Sequence, residues 1–266
     1  MGTSKSMPTP RGGKWTGVKD EISLYLSGSG SVTAQQIVGS TIVAAGGLAL
    51  RSPGGSAGRG GGGGTSGGGT GGRSVARAVS GLAGFGTALG AGGLTQALEL
   101  LGIDDLRGKP AGEVISRIAD HLSKDVNGLE QDVLRGAIQQ AIYNAAELAD
   151  DPTYENLEAS LQTYLSREGV EGLIELFLTQ YVFDRVWLLI EDYVNKRTDS
   201  QVDMSNMEAA VEQACRSNVH DEVDTYKTEG QFDNLDWFGQ DGLRVAETVI
   251  TDLEQRLQQA AQGGAA

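Results

Sequence analysis

The chain has 266 residues, of which 39% are apolar and 40 are glycine, and its formal net charge is −14. Residues 1–98 carry eight Lys and Arg against two acids, a net of +6, whereas residues 99–266 carry thirteen against thirty-three, a net of −20. An acidic body of this kind argues against direct nucleic-acid binding, because phosphate binding depends on Lys and Arg displacing counterions. Its acidity is instead typical of a solvated surface.

Residues 1–20 are small, polar and rich in Pro and Gly. They can bury little apolar surface, so they are predicted to form a disordered, flexible N-terminal arm. Trp15 is the exception in this arm. A Trp in such surroundings is either an anchor for a partner or a residue packed on its own chain, and the sequence leaves both interpretations open.

The first residues of the arm could provide a reactive N-terminal amine. Gly2 is small enough for Met1 to be removed, and the letters Met1 to Ser6 also match the myristoylation pattern. The exposed α-amine would have a pKa of about 7.7–8.0, against about 10.4 for a lysine, so part of it is neutral and nucleophilic near neutral pH. An ordinary start sequence is the alternative interpretation.

Residues 21–50 are predicted to form a short helical segment. Ile22, Leu24 and Leu26 alternate like a short strand or mark a ragged helix. A second helix is expected from about Thr33, with Ser31 or Thr33 as its N-cap, and Gly46-Gly47 should weaken or end it.

Residues 51–73 are of low complexity and are predicted to be a Gly-rich linker. Glycine runs of this kind also occur in phosphate-binding loops. A Walker loop, however, ends in Gly-Lys-Ser/Thr, and no Lys lies between Lys19 and Lys109.

Residues 74–262 are predicted to form an acidic helical domain, since apolar residues recur there at spacings of three and four. The periodic segments after Ser74 are Glu113–Lys124, Leu129–Leu148, Tyr154–Leu165, Val170–Val194, Met204–Val223 and Leu243–Leu257. Asp150-Asp151-Pro152 should break one helix and start the next, and Gly128, Gly169 and Gly230 should separate others. The predicted fold class is all-α, an irregular helical bundle with a disordered N-terminal arm and a Gly-rich linker.

Two uncharged stretches, Ile22–Leu50 and Ala78–Leu98, are long enough to span a bilayer. Both are diluted with Gly, Ser, Thr and Gln, which disfavours membrane insertion. Gly86 and Gly90 have the small-xxx-small spacing of packed membrane helices, but ordinary close helix packing explains that spacing as well.

Candidate catalytic and metal-binding residues are few. His121 and His220 are far apart in sequence, Cys215 is the single cysteine, and no H-x-x-x-H or C-x-x-C pattern occurs. The letters G-x-S-x-G occur only at Gly54–Gly58 and Gly64–Gly68, inside the predicted Gly-rich linker, where no buried strand precedes them as a nucleophile elbow requires. The sequence therefore predicts no catalytic residue, no metal site and no bound cofactor, and we expect the protein not to be an enzyme. The single Cys215 excludes an intramolecular disulfide, and the arm lacks a secretory signal, which together favour a cytoplasmic location.

Several segments resemble the QatB component of the bacterial Qat anti-phage defence system. They are Met1-Gly2-Thr3-Ser4 with Pro8, Pro10 and Trp15, then Ser31–Gly47, Leu82–Leu122 and Tyr154–Val186. The resemblance covers most of the chain, and none of these segments is a catalytic signature.

The resemblance implies three partners: a Qat ATPase, a QueC-like enzyme and a TatD-like nuclease. QueC-like enzymes use ATP to act on 7-carboxy-7-deazaguanine, and in defence systems they are associated with joining a deazaguanine to the N-terminal glycine of a partner protein. By this resemblance Gly2 is the acceptor, and Thr3, Ser4 and Trp15 contact the partner. The expected role is that of a non-enzymatic adaptor that is itself modified. From Gly2 to Trp15 an extended chain spans roughly 40–47 Å, enough to enter a deep active site.

Two alternatives stay open on the sequence alone. In one, the protein is an unmodified helical scaffold or effector of the same complex. In the other, it is a membrane-active effector that uses the two uncharged stretches.

Overall fold

The computed structural model describes residues 10–48, 70–147, 152–198 and 200–263. These residues form eight α-helices and no strand. The helices are α1 Gly13–Leu26, α2 Ala34–Ala45, α3 Thr70–Leu101, α4 Ala111–Leu122, α5 Leu129–Ala146, α6 Tyr154–Arg197, α7 Gln201–Thr228 and α8 Gln240–Gln262. The predicted all-α class is thereby confirmed.

Local sequence explains where several helices begin and end. The Thr33 side chain accepts a hydrogen bond from the Gln36 amide, and the Gln36 side chain accepts one from the Thr33 amide, so a capping box starts α2. Gly46 ends α2 in the left-handed conformation, as the sequence predicts. Thr153 and Asn156 form a second capping box at the start of α6, directly after Pro152. The residues 148–151 that precede it lie outside the described part of the chain.

Two of the long helices are interrupted at a glycine. Gly93 divides α3, and Gly169 divides α6, each with a positive φ that other residues rarely adopt. At the first break the Glu158 side chain accepts a hydrogen bond of 2.9 Å from the Leu94 amide, which caps the second half of α3. Gly169 therefore separates two helical segments, as predicted from sequence.

The bundle is organised around α6. This helix packs against α3, α5 and α7, and α2 lies across α7 and α8. One continuous hydrophobic core joins all eight helices of the described residues, and Phe85, Phe177 and Tyr181 are the bulkiest side chains fully enclosed in it. Gly86 of α3 packs on Val170, Leu165 and Leu173 of α6, whereas a side chain at Gly90 would meet open space. Close helix packing therefore accounts for Gly86.

The N-terminal boundary differs from the prediction. Helix α1 begins at Gly13, so residues 13–20, assigned to the arm from their composition, are helical and buried on one face. That face consists of Trp15, Val18 and Ile22, at spacings of three and four. The Ile22–Leu26 segment is helical and not a strand. Residues 51–69 of the predicted linker lie outside the described residues, and Thr70–Arg73 already belong to α3.

None of the helices in the described ranges combines the length and apolar character needed to cross a membrane.

One half-buried acid makes the stability of the bundle depend on pH. Burial raises the pKa of Asp184 to about 6, although Gln180 Nε2 donates a hydrogen bond of 2.7 Å to it. An unfolded Asp has a pKa of about 3.9, so ionisation of Asp184 opposes folding as the pH rises from about 4 to 6, and this cost is complete above pH 6.

We expect Asp184→Asn to raise the free energy of unfolding at pH 7.5 by about 2 kcal/mol, because it removes that ionisation cost and keeps a hydrogen-bonding side chain. Near pH 3.5 the variant and the parent should have similar stability. Urea unfolding at the two pH values measures both differences, with the exposed Asp224→Asn of α7 as a matched control. An equal gain at both pH values would contradict the assignment to ionisation.

Candidate functional site

Three of the residues predicted to form the site, Gly2, Thr3 and Ser4, lie outside the described residues. The structure does describe the place where their segment joins the fold, from Pro10 onward. We call this region, Pro10 to Lys19 together with Tyr193 and Arg197, the arm root.

Hydrogen bonds attach the residues just before α1 to that helix. Lys19 Nζ donates a hydrogen bond of 3.1 Å to the carbonyl oxygen of Pro10. The Trp15 amide donates one of 3.0 Å to the Gly12 carbonyl, which closes the first turn of the helix. The Lys19 bond ties the chain just before α1 back to the helix one and a half turns later, so the arm has a defined point of attachment.

Trp15 packs on its own chain. Only 8% of its surface is exposed, and it belongs to the hydrophobic core together with Val18 and Ile22. Of the two interpretations left open by the sequence, burial in the parent fold is the one found. The indole is consequently not an exposed partner anchor, because the core already covers it.

The last turns of α6 provide the surface on which α1 docks. Ser23 Oγ and the Tyr193 hydroxyl are 3.1 Å apart and share a hydrogen bond. Two cations lie near the Tyr193 ring: Lys19 Nζ is 5.8 Å from the ring centroid and Arg197 Cζ is 5.3 Å from it. The contact from Lys19 joins α1 to α6, whereas Arg197 and Tyr193 both belong to the last turns of α6.

A half-buried carboxylate joins α1 to α2. Ser40 Oγ donates a hydrogen bond of 3.0 Å to Glu21 Oε1, and the other oxygen, Glu21 Oε2, is enclosed without a hydrogen-bond partner among the described residues. Burial raises the pKa of Glu21, and the Ser40 hydrogen bond opposes part of that rise. These contacts fix α1 in the bundle, so the arm root does not depend on the residues that precede it.

The residues considered for catalysis are separated in space. His121 lies 3.1 Å from Lys124 Nζ, and burial together with Lys124 lowers the pKa of its imidazole. His220 Nδ1 is 3.0 Å from Glu175 Oε1 on a different helix. Burial raises the pKa of the Cys215 thiol, which is fully enclosed and thus a poor nucleophile. Within the described ranges no three His, Cys, Asp or Glu side chains are grouped as metal ligands.

A buried polar cluster was missed by the sequence analysis. The carbonyl oxygen of Leu48 accepts hydrogen bonds from the Tyr181 hydroxyl at 3.1 Å and from Arg185 Nε at 3.2 Å, and its amide donates one of 3.3 Å to Glu254 Oε2. Leu48 is the last described residue before the Gly-rich segment. The cluster therefore fixes the start of that segment to α6 and α8. The sequence does contain one signal for this cluster, because Arg185 is a charged residue within the most apolar predicted helix.

One of the comparisons with known proteins identifies a family. A family model described as Qat anti-phage system associated protein QatB matches residues 63–253, which is more than half of the chain. No curated protein and no solved structure matches the chain. The matched region contains α3 to α7 and most of α8, and it leaves α1 and α2 outside.

Proposed function

Because the chain belongs to the QatB family of proteins associated with the Qat anti-phage system, we propose that it acts in that system as a non-enzymatic adaptor whose N-terminal Gly2 is conjugated to a deazaguanine. Membership of the family makes it a component of an anti-phage defence system. The conjugation, the QueC-like enzyme that carries it out, and the ATPase and TatD-like nuclease partners belong to the proposal.

The observation that carries the proposal is the attachment of the arm. Lys19 fixes the carbonyl of Pro10, and α1 is docked on α6 and α2. Gly2 lies eight positions before Pro10, and a fully extended chain over eight steps reaches at most about 26–29 Å. This reach is shorter than the sequence alone suggests, since α1 begins at Gly13, but it suffices for a terminal glycine to enter an active-site cleft while the bundle stays outside.

The proposed chemistry uses the α-amine of Gly2 after removal of Met1. Its neutral form attacks the carbonyl carbon of an activated 7-carboxy-7-deazaguanine, a C–N bond forms, and the activating group supplied from ATP leaves with the electrons of the acyl–oxygen bond. The amine gives up one proton to base or solvent. The product is an amide, so the N-terminus loses its titratable positive charge.

Intact mass spectrometry tests the proposal. The protein co-expressed with the QueC-like partner should gain the mass of the deazaguanine acid less one water, and peptide mapping should place the addition on Gly2. Protein expressed alone should have only the mass expected after Met1 removal. An unmodified N-terminus in the presence of demonstrably active partner would contradict conjugation.

A second candidate function is an unmodified scaffold of the same complex. The observation that favours it is the extent of the family match, which begins at residue 63 and so contains neither Gly2 nor α1. If the scaffold alternative holds, complexes with the other Qat components should form equally well when residues 2–9 are deleted.

A further inference from the structure

A groove lies between α3, α4 and the start of α8. It encloses about 280 Å³. Its apolar lining comes from Gly81, Leu100 and Leu101 of α3, Leu122 of α4, and Phe238 and Leu243 near the start of α8. We call it the α3–α4 groove.

Two large apolar side chains at the groove are left in contact with solvent. Leu100 is 55% exposed and Phe238 is 46% exposed, which places both among the few large apolar residues exposed in the described part of the chain. They line the same cavity. Exposed apolar residues scattered singly need no explanation, but two that flank one concave surface of mixed polar and apolar lining mark a candidate interaction site.

The groove is built on a glycine face of α3. A side chain at Gly81 would come within 2.5 Å of Leu122 Cδ2, and one at Gly84 within 2.7 Å of Phe238 Cε1. Ser80 Oγ also donates a short hydrogen bond to the Trp237 carbonyl, which ties the segment carrying Phe238 to α3. These contacts hold Leu122 and Phe238 close to the backbone of α3, so the concave shape exists before anything binds.

The charge at the groove is opposite to that of the body. Arg77 and Asp125 form an ion pair of 3.5 Å and offset one another. Lys124 has no ion-pair partner among the described residues, and its hydrogen-bond partner His121 has a lowered pKa and is neutral at pH 7. The charge of Lys124 is therefore not offset at the lining of the groove, although Lys124 belongs to residues 99–266, which have a net charge of −20.

We propose that the α3–α4 groove docks a segment of another Qat component that presents a bulky apolar side chain beside a carboxylate. The apolar side chain fills the cavity between Leu100 and Phe238, and the carboxylate pairs with Lys124. The Gly-rich segment of this chain cannot supply the occupant, since residues 51–69 contain no Leu, Ile, Val, Met or aromatic residue. This inference rests on membership of the family and not on conjugation at Gly2, and all lining residues lie within residues 63–253.

Binding of the full-length protein to each of the other purified Qat components tests the proposal. Leu100→Ser combined with Phe238→Ser should weaken binding of one component at least about 30-fold, as expected for loss of apolar anchors in a pocket. Lys124→Glu should weaken it about tenfold at low salt, with a smaller effect at high salt. Val202→Ser is the matched control, because Val202 is 67% exposed on α7 and outside the groove.

Unfolding midpoints distinguish loss of docking from loss of folding. Both groove residues are about half exposed, so the double variant should unfold near the same denaturant concentration as the parent. Binding unchanged by the double variant, or lost equally in Val202→Ser, would overturn the proposal. So would the failure of every Qat component to bind the parent protein. Conjugation of Gly2 in the double variant is scored separately by intact mass, so the two proposals fail independently.

Photo-crosslinking identifies the chemistry of the occupant. The chain has one cysteine, Cys215, which is fully buried, so Leu100→Cys provides an accessible thiol for a photoreactive label. We expect crosslinks to a segment of another component that contains a large apolar residue next to Asp or Glu, and none from a label at Val202→Cys. Crosslinks only to a second copy of this chain, or to segments without that pattern, would contradict it.

Discussion

Gly2→Glu is expected to abolish conjugation completely while leaving the helical bundle as stable as the parent. Glu at position 2 is too large for Met1 to be removed, so the free amine then lies on Met1, with a long side chain beside it and a carboxylate on the next residue. Acyl transfer requires close approach of the reacting atoms, which this bulk hinders. Gly2→Val should also block the reaction, whereas Gly2→Ala should be mildest, because Met1 is still removed. Intact mass after co-expression with the QueC-like partner measures each outcome.

Lysines provide an internal control for this prediction. Lys5 and Lys14 lie near Gly2 in sequence, but lysine side-chain amines are in general more basic than an N-terminal α-amine and so less often in the neutral, nucleophilic form near pH 7.5. They should therefore not take over in Gly2→Glu. A modified Gly2→Glu protein with the addition mapped to a lysine would show that the amine of Gly2 is not selected by its pKa.

Gly39→Ala is expected to destabilise the bundle by about 3 kcal/mol, a large effect for one methyl group. Gly39 is buried in α2, and an added Cβ would collide with the carbonyl oxygen of Leu257 and lie 2.6 Å from the amide nitrogen of Ala261. Both are backbone atoms of α8, which cannot rotate away as a side chain can. The two helices would have to separate along their contact.

Gly136→Ala is the matched comparison for this variant. Gly136 lies in the middle of α5, and an added Cβ meets nothing within 4 Å. This substitution should stabilise the protein by about 0.5–1 kcal/mol, because Ala loses less backbone entropy than Gly in a helix. Guanidinium unfolding curves of the two variants should shift in opposite directions. Parallel shifts would mean that α2 and α8 are not in close backbone contact.

Much of the fold follows from patterns visible in the sequence. The apolar spacing of Val133, Leu134, Ala137 and Ile138 places one face of α5 in the core, and Thr33 and Gly46 bound α2 as local capping chemistry predicts. Such signals are local, so they can be interpreted without knowing what each helix contacts. The break at Gly169 was predicted from a local signal of the same kind, a glycine between two periodic segments.

The start of α1 was placed wrongly because composition outweighed periodicity. Trp15, Val18 and Ile22 have helical spacing, but the polar, Gly-rich residues between them favour disorder when counted over twenty residues. Docking on α6, through Ser23 and Tyr193 among other contacts, supplies stabilisation that a local pattern does not contain. Contacts between segments that are distant in sequence cannot be predicted from a local pattern and become visible only in the folded structure.

The groove was missed for a similar reason. Leu100 and Phe238 are more than a hundred residues apart, and nothing in either neighbourhood indicates that they line one cavity. The glycine at position 81 is visible in the sequence, but its role as the floor of a groove depends on Leu122 approaching from another helix. The residues of Gly2 to Ser4 were identified by resemblance, and their role stays a prediction.

The contact between α2 and α8 also has a consequence for the order of events during synthesis. Apart from α1, the helices that cover α2 are α6, α7 and α8, all encoded after residue 153. At about 5–20 residues per second, α8 leaves the ribosome roughly 10–40 s after α2. The N-terminal helices therefore wait unburied through most of translation, and a chain that stops before Gln240 leaves Gly39 and its neighbours without their cover. We expect such truncated chains to be degraded in the cell.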